Sequence, residues 1–366
     1  MNEDRSARYH RLKRRAALLS LVVSAALFAL LLVSGASVGL RQAATAGGPL
    51  SAATVALYTW LLALLHEAAT FPVALYRGFL LEQRYGLSHE PLSAWLKDHA
   101  KGVGLTVVLG VAAVEVIYAT IRMWPGRWWL GASAAMVAVI VILTRLMPTV
   151  LLPMFYRFTP LERESLRARL MELSKRAGVA ILGVYEWGLG EKTRRANAAL
   201  VGSGSTRRIL LSDTLLAEYS DDEIEVILAH ELAHHVHRDI PKALLVEAGL
   251  LLAGFWIASV VLTRGWQPLG LLGPADPAGL PLVLLTAGAA MLLATPLVNA
   301  LSRLNERRAD RYALTLTGHH AAFISAMRRL GTQNLAEERP SRLALWLFHS
   351  HPPIEERIRS AQKAAG

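Results

Sequence analysis

AHELAHHVHRD, residues 229–239, places His230, Glu231 and His234 within one turn of a predicted helix. Residues four apart share one helix face about 6 Å from each other, so imidazoles at 230 and 234 can grip one zinc ion from the same side. Glu231 stands beside them, where a carboxylate can take a proton from water at the metal. The residues just before support a helix. Ser220-Asp221-Asp222-Glu223 has the form of a capping box, and apolar Ile224, Val226, Ile227 and Leu228 follow. The motif thus falls mid-helix, where the geometry requires it; the plain alternative is a surface helix that happens to be rich in histidine.

The 366 residues are 53% hydrophobic, with a mean hydropathy of +0.35. That is too apolar for an ordinary soluble enzyme and points to membrane integration. There is no cysteine, so disulfides, thiolate metal sites and cysteine nucleophiles are excluded and any metal must be held by His and carboxylate. The net charge of +11 is spread along loops, as the positive-inside rule expects, and not gathered in the aromatic-interleaved patches of a nucleic-acid binder.

Arg5, Arg8, Arg11, Lys13, Arg14 and Arg15 precede an apolar run from Ala16 to Leu40, read as a retained anchor longer than a signal-peptide core. Further spans are expected at about Ala52–Leu81, Gly102–Ile121, Trp128–Leu152 with an interruption near Arg145, Ala243–Thr263 and Gly279–Leu301. Six crossings starting inside return residues 158–242 and the C-terminal tail to the cytoplasm, and the outer loops hold few basic residues, such as Arg41, Arg122, Arg127 and Arg264. Glu67, Glu115 and Glu247 lie within spans, either facing a wet interior or neutralised as structural groups. The chain divides into a four-span membrane domain (1–157), a first catalytic part (158–242), a two-span hairpin (243–301) and a second catalytic part (302–366).

In the first catalytic part, Thr159-Pro160-Leu161-Glu162 reads as an N-cap with proline at the first helical position, opening a helix to about Arg176. Strands are expected at Ala180–Trp187, Ala196–Val201 and Arg207–Leu211, the last two joined by a turn at Gly202-Ser203-Gly204-Ser205. A third metal ligand must come from elsewhere. His237 shares the helix face but lies a further turn along, too far from an ion centred between 230 and 234. A metzincin would need glycine at 237 and histidine at 240, where this chain has His237 and Ile240. Glu306, in SRLNERRAD at 302–310, can complete a His2Glu set, with Asp310 on the same face accepting a hydrogen bond from a ligating imidazole. By spacing alone, that stretch also reads as a charged helix face with Arg303, Arg307 and Arg308.

These residues carry a resemblance. The chain resembles the type I CAAX prenyl proteases, integral-membrane zinc metalloproteases of the a-factor-converting-enzyme type, and more distantly the HtpX proteases. The likeness runs from about Phe71 to Arg357 through LEQRYGLS (81–88), PMFYRFTPL (153–161), ANAALVG (196–202), LLSDTLLAEYS (210–220), AHELAHH (229–235), SRLNERRAD (302–310) and HSHPPIEER (349–357). It implies a mainly α fold: a polytopic α-helical membrane protein of about six spans enclosing a chamber, with a small α+β zincin-like catalytic domain on the cytoplasmic side. It implies one Zn2+ per chain on His230, His234 and Glu306, Glu231 as catalytic base and Asp310 behind the ligands. It further implies Asn197 on the substrate backbone, and His351 and Arg357 near the scissile carbonyl. By themselves those last three read as a turn asparagine, a capping histidine and a solvated arginine. Eukaryotic members carry histidine where this chain has Arg195, and a longer insertion before the metal helix.

The expected activity is that of a zinc metalloendopeptidase on peptide or protein substrates, lipidated or not, acting as a monomer in the lipid bilayer of a bacterial inner membrane with the site facing the cytoplasm, and without nucleic acid. A zinc-binding membrane scaffold or chaperone is the alternative from another class. Glu231 argues against it, because a structural zinc site usually closes all four positions with protein ligands. A transporter would leave the motif at 230–234 unexplained.

Overall fold

The structure, a computed structural model, describes residues 4–45, 50–202 and 204–365. Among these, six helices are long and apolar enough to cross a membrane: Arg5–Val33, Ala52–Arg84, Leu92–Met123, Trp128–Met154, Asp239–Gly265 and Pro277–Thr317. Leu245 and Leu293 are 73% and 84% exposed on two of them. That much bare hydrocarbon on long apolar helices suits a lipid surrounding.

The first helix, α1 (Arg5–Val33), begins inside the basic stretch and stops before the apolar run ends. The expected span from Ala16 to Leu40 is therefore broken. Gly35 takes φ +74°, a conformation glycine adopts without steric cost, and α2 (Ala36–Thr45) turns back onto the bundle. Ser37 of α2 bonds Tyr58 Oη and the Ala278 carbonyl, each at 2.6 Å, and Arg41 pairs with buried Asp276.

Helix α3 (Ala52–Leu75) opens on a Ser51 capping box and runs through a π-helical turn, Tyr76–Leu80, into the short α4 (Leu81–Arg84). Helices α5 (Leu92–Met123) and α6 (Trp128–Leu146) complete this part. The interruption expected near Arg145 is a second π turn at Met147–Leu151, where Pro148 has no N–H to continue the ladder. Of the carboxylates within spans, Glu67 bonds His99 at 2.7 Å and Glu115 lies 3.8 Å from Arg122.

Beyond the membrane, β1 (Phe158–Pro160) lies where a helix start is expected, and α7 (Glu164–Arg176) begins later. Pro160 explains the difference: it suits an edge strand as well as a first helical turn, and β1 is one of the sheet's two edge strands. Strands β2 (Gly183–Trp187), β3 (Ala198–Val201) and β4 (Arg208–Ser212) follow. The sheet order is β1-β2-β4-β3, with β2–β4 parallel and the other pairs antiparallel. Ser203, in the expected turn between β3 and β4, lies outside the described residues.

Helices α8 (Asp213–Glu218) and α9 (Asp221–Val236) lead back to α10 (Asp239–Gly265). The last long helix, α11 (Leu280–Thr317), leaves the apolar stretch without a break, so residues 302–310 continue the same rod. Helices α12 (His320–Gln333), α13 (Arg342–Phe348) and α14 (Ile354–Ala365) close the chain. One buried core joins Leu166 and Leu170 of α7, Ile209 and Leu211 of β4, Ile224 and Leu228 of α9, Phe323 of α12 and Ala361 of α14. Segments on either side of the α10–α11 hairpin thus share a single interior.

Candidate metal centre

Helix α9 is started by the expected capping box: Ser220 Oγ accepts from Glu223 N at 3.3 Å and Glu223 Oε2 accepts from Ser220 N at 2.8 Å. Two orphan donors of the first turn are thereby satisfied. Ile224, Val226, Leu228 and Leu232 are buried and fix the roll of the helix, which turns the 230/234 face towards α11. There Glu306 meets it. One donor atom each from His230, His234 and Glu306 fall within 4.8 Å of one another, with His230 Nε2 3.2 Å and His234 Nε2 3.5 Å from the carboxylate.

The other ring nitrogens are also held. His230 Nδ1 lies 2.9 Å from Asp310 Oδ1 and His234 Nδ1 lies 3.0 Å from Asp239 Oδ2. Each carboxylate accepts a hydrogen bond from an Nδ1–H, which leaves Nε2 of each ring as the atom that faces Glu306. Burial alone would lower the His230 pKa, but its bonds to Asp310 and Glu306 outweigh burial and lift it to about 9. Burial pushes the Glu231 carboxyl above the usual carboxylate range, against the pull of the neighbouring histidines. Glu306 Oε2 is buried with His230 Nε2 at 3.2 Å as its ion-pair contact but no well-aligned hydrogen bond.

His237 stays apart: its Nδ1 lies 2.8 Å from the Ala233 carbonyl and its ring packs against Tyr312. His351, on the loop between α13 and α14, brings Nε2 to 3.4 Å from Glu306 Oε1. Arg357 of α14 grips Asp310 at two points, 2.9 and 2.5 Å, and approaches His230 Nδ1 at 3.3 Å. Its Nε and Nη2 are therefore engaged behind the histidine. Asn197 is exposed just ahead of β3, whose backbone is paired to β4 on one side only; β3 itself packs against α9.

Asp239 was not legible in the pattern. It becomes His234's partner because Arg238 adopts φ 55° and ψ 42°, a left-handed turn that costs a non-glycine residue about 1–2 kcal/mol. That turn ends α9 and swings the first residue of α10 back onto the motif. Arg308 of α11 pins the Asp239 carboxylate from the other side. The only signal in the chain is an acid closing the histidine run HHVHRD.

The family model described as Peptidase family M48 matches residues 160–365. The model described as CAAX prenyl protease N-terminal, five membrane helices, matches residues 2–157, where this chain has four long apolar helices and the short α2. A Bacillus subtilis (strain 168) protein named uncharacterized metalloprotease YhfN is 31% identical over 343 residues, 92% of this chain and 80% of its own length. The probable CAAX prenyl protease 1 of Schizosaccharomyces pombe is 26% identical, covering 81% of this chain and 63% of that protein. The crystal structure of S. mikatae Ste24p superposes with a TM-score of 0.88 at 20% identity, over 97% of this chain and 88% of the other. The architecture is therefore shared, and the chain belongs to peptidase family M48, as an integral multi-pass membrane metalloprotease similar to the CAAX prenyl proteases.

Proposed function

We propose that the resident metal is a single zinc ion held by His230, His234 and Glu306, and that the protein hydrolyses internal peptide bonds of membrane-associated protein or peptide substrates. The observation that carries this reading is the convergence of those three side chains beside Glu231. The residues fit the ion. The donors are two imidazoles and a carboxylate, a set that suits zinc, the buried Glu306 Oε2 has no well-aligned hydrogen bond, and the carboxylates around His230 make the pocket receptive to a cation.

When bound, zinc supplies Lewis acidity that polarises a carbonyl and acidifies water. Glu231 takes the proton of the attacking water and passes it to the leaving amine, work for which its raised pKa suits it. Asn197 and the open edge of β3 hold the substrate backbone extended. His351 donates a hydrogen bond to the oxyanion, and Arg357 keeps Asp310 on His230. The catalytic side faces the cytoplasm of a bacterial cell, because the basic N-terminal turns of α1 lie on that side: Arg14 pairs with Glu337 and His10 with the Leu335 carbonyl. The protein works as a monomer.

The test is purified protein in detergent, offered unmodified and farnesylated peptides. About one zinc per chain, cleavage lost on chelation and restored by zinc, is expected; undiminished cleavage by metal-free protein would end the proposal. Preference for the farnesylated set would assign the prenylated substrates for which the relatives are named. Asp239→Asn should weaken zinc binding about 10- to 100-fold in chelator competition, and an unchanged affinity would remove Asp239 from the site.

A further inference from the structure

After Arg342, every residue of α13 is apolar up to its end at Phe348, yet Ala344 alone is buried. Leu343, Trp346 and Phe348 are 69%, 61% and 40% exposed. Ser341 starts the helix, its Oγ accepting from Ala344 N at 3.2 Å. A capped helix with so bare a face calls for something to cover it.

Two spanning helices fix the level at which α13 lies. On α11, Asn299 Nδ2 donates to the Trp346 carbonyl at 2.9 Å, and Arg303 Nη1 donates to the carbonyls of Leu345 at 2.9 Å and His349 at 2.7 Å. These anchors sit where the apolar part of α11 ends, beside the exposed stripe of Leu293, Leu297, Leu301 and Leu304. On the other side, His349 Nε2 lies 3.2 Å from Glu337 Oε2, and Arg14 of α1 pairs with the same carboxylate. Arg14 and Arg15 are the last charges before the apolar run that opens at Ala16. Both helices therefore put α13 at the boundary between hydrocarbon and headgroups.

We propose that α13 lies in the bilayer interface with Leu343, Trp346 and Phe348 against phospholipid, and that this seating holds the loop of His351 in place; the second part rests on the protease reading above. At about 1.5 Å per residue the helix is roughly 10 Å long, too short to cross and suited to lying at the surface. Tryptophan favours that layer, where its ring meets both acyl chain and headgroup. Phospholipid is the occupant because the stripe next to α13 belongs to a helix that spans the bilayer. The link to the site is short. Buried Arg303 holds the His349 carbonyl, His351 follows two residues later, and Glu306 stands one turn beyond Arg303 on α11. Displacing α13 would carry His351 away from its place 3.4 Å from Glu306. Trp346 and Leu343 are thus positioning residues.

The experiment uses the full-length protein in vesicles of phosphatidylethanolamine and phosphatidylglycerol. Because the chain has no cysteine, Leu343→Cys and Trp346→Cys each take a single nitroxide, whose collisions with oxygen and with a water-soluble nickel chelate are measured. Leu297→Cys serves as the lipid reference and Lys363→Cys, exposed on α14, as the aqueous one. Both α13 labels should show an oxygen-to-nickel ratio close to the lipid reference and several-fold above the aqueous one. Nickel collisions equal to those of the aqueous reference would show that α13 faces water and overturn the lipid contact. Low collisions with both would place protein on this face and overturn it as well. For the positioning role, Trp346→Glu should lower kcat about 10- to 100-fold with KM and zinc content little changed, and Trp346→Phe should keep most of the rate. In a His351→Ala background Trp346→Glu should add little further loss; an undiminished effect there would separate α13 from His351. Wild-type protein that binds zinc and cleaves nothing would bring down the protease reading and the positioning role with it, while the labels would still decide the lipid contact.

Discussion

Glu231→Gln should retain zinc and lose turnover by about 10⁴-fold, the upper range for removal of a general base. The carboxamide has nearly the volume of the carboxylate, so the packing that sets α9, with Ile224, Leu228 and Leu232 buried beneath it, is undisturbed. His230, His234 and Glu306 keep their mutual distances because none of them leans on Glu231. What disappears is the carboxylate that accepts the water's proton. Elemental analysis and single-turnover cleavage on the same preparation separate the two effects. A variant that turns over at the wild-type rate would exclude Glu231 as the base and move the search to His351.

Glu306→Ala is expected to remove the metal outright, with zinc affinity falling by more than the roughly 100-fold scale of partners outside the ligand set. Three imidazoles converge on this one carboxylate, at 3.2, 3.5 and 3.4 Å for His230, His234 and His351. Without it they face one another across an empty space with no anion between them. The loss should appear as metal-free protein after gel filtration and as activity below detection. A full zinc complement would show that another side chain closes the set, and His237 would be the first to examine despite its bond to the Ala233 carbonyl.

The parts of the site that were legible in the chain are those with local spacing. A four-residue interval fixes His230 and His234, another fixes Glu306 and Asp310, and the capping box fixes where α9 starts. Asp239 was hidden because its position depends on one backbone angle at Arg238, which no side-chain pattern announces. Arg357 carried no sign of its partner Asp310, which lies on a different helix and is reached only through tertiary packing. The break after α1 was masked by an unbroken apolar run, where Gly35 is a single residue against many. At β1 the dipeptide Thr159-Pro160 satisfies two opposite rules, and pairing with β2 decided between them.

The common interior shared by α7, β4, α9, α12 and α14 has a consequence for biogenesis. Synthesis delivers α9 before the α10–α11 hairpin, and only afterwards the residues that finish the core. A nascent chain still on the ribosome therefore carries two histidines without Glu306 at their side, and an unfinished core beneath them. Hydrolytic competence arrives only after the last membrane pair has been inserted and the C-terminal helices have docked. The order of the elements thus makes the site one of the last parts of the chain to be completed.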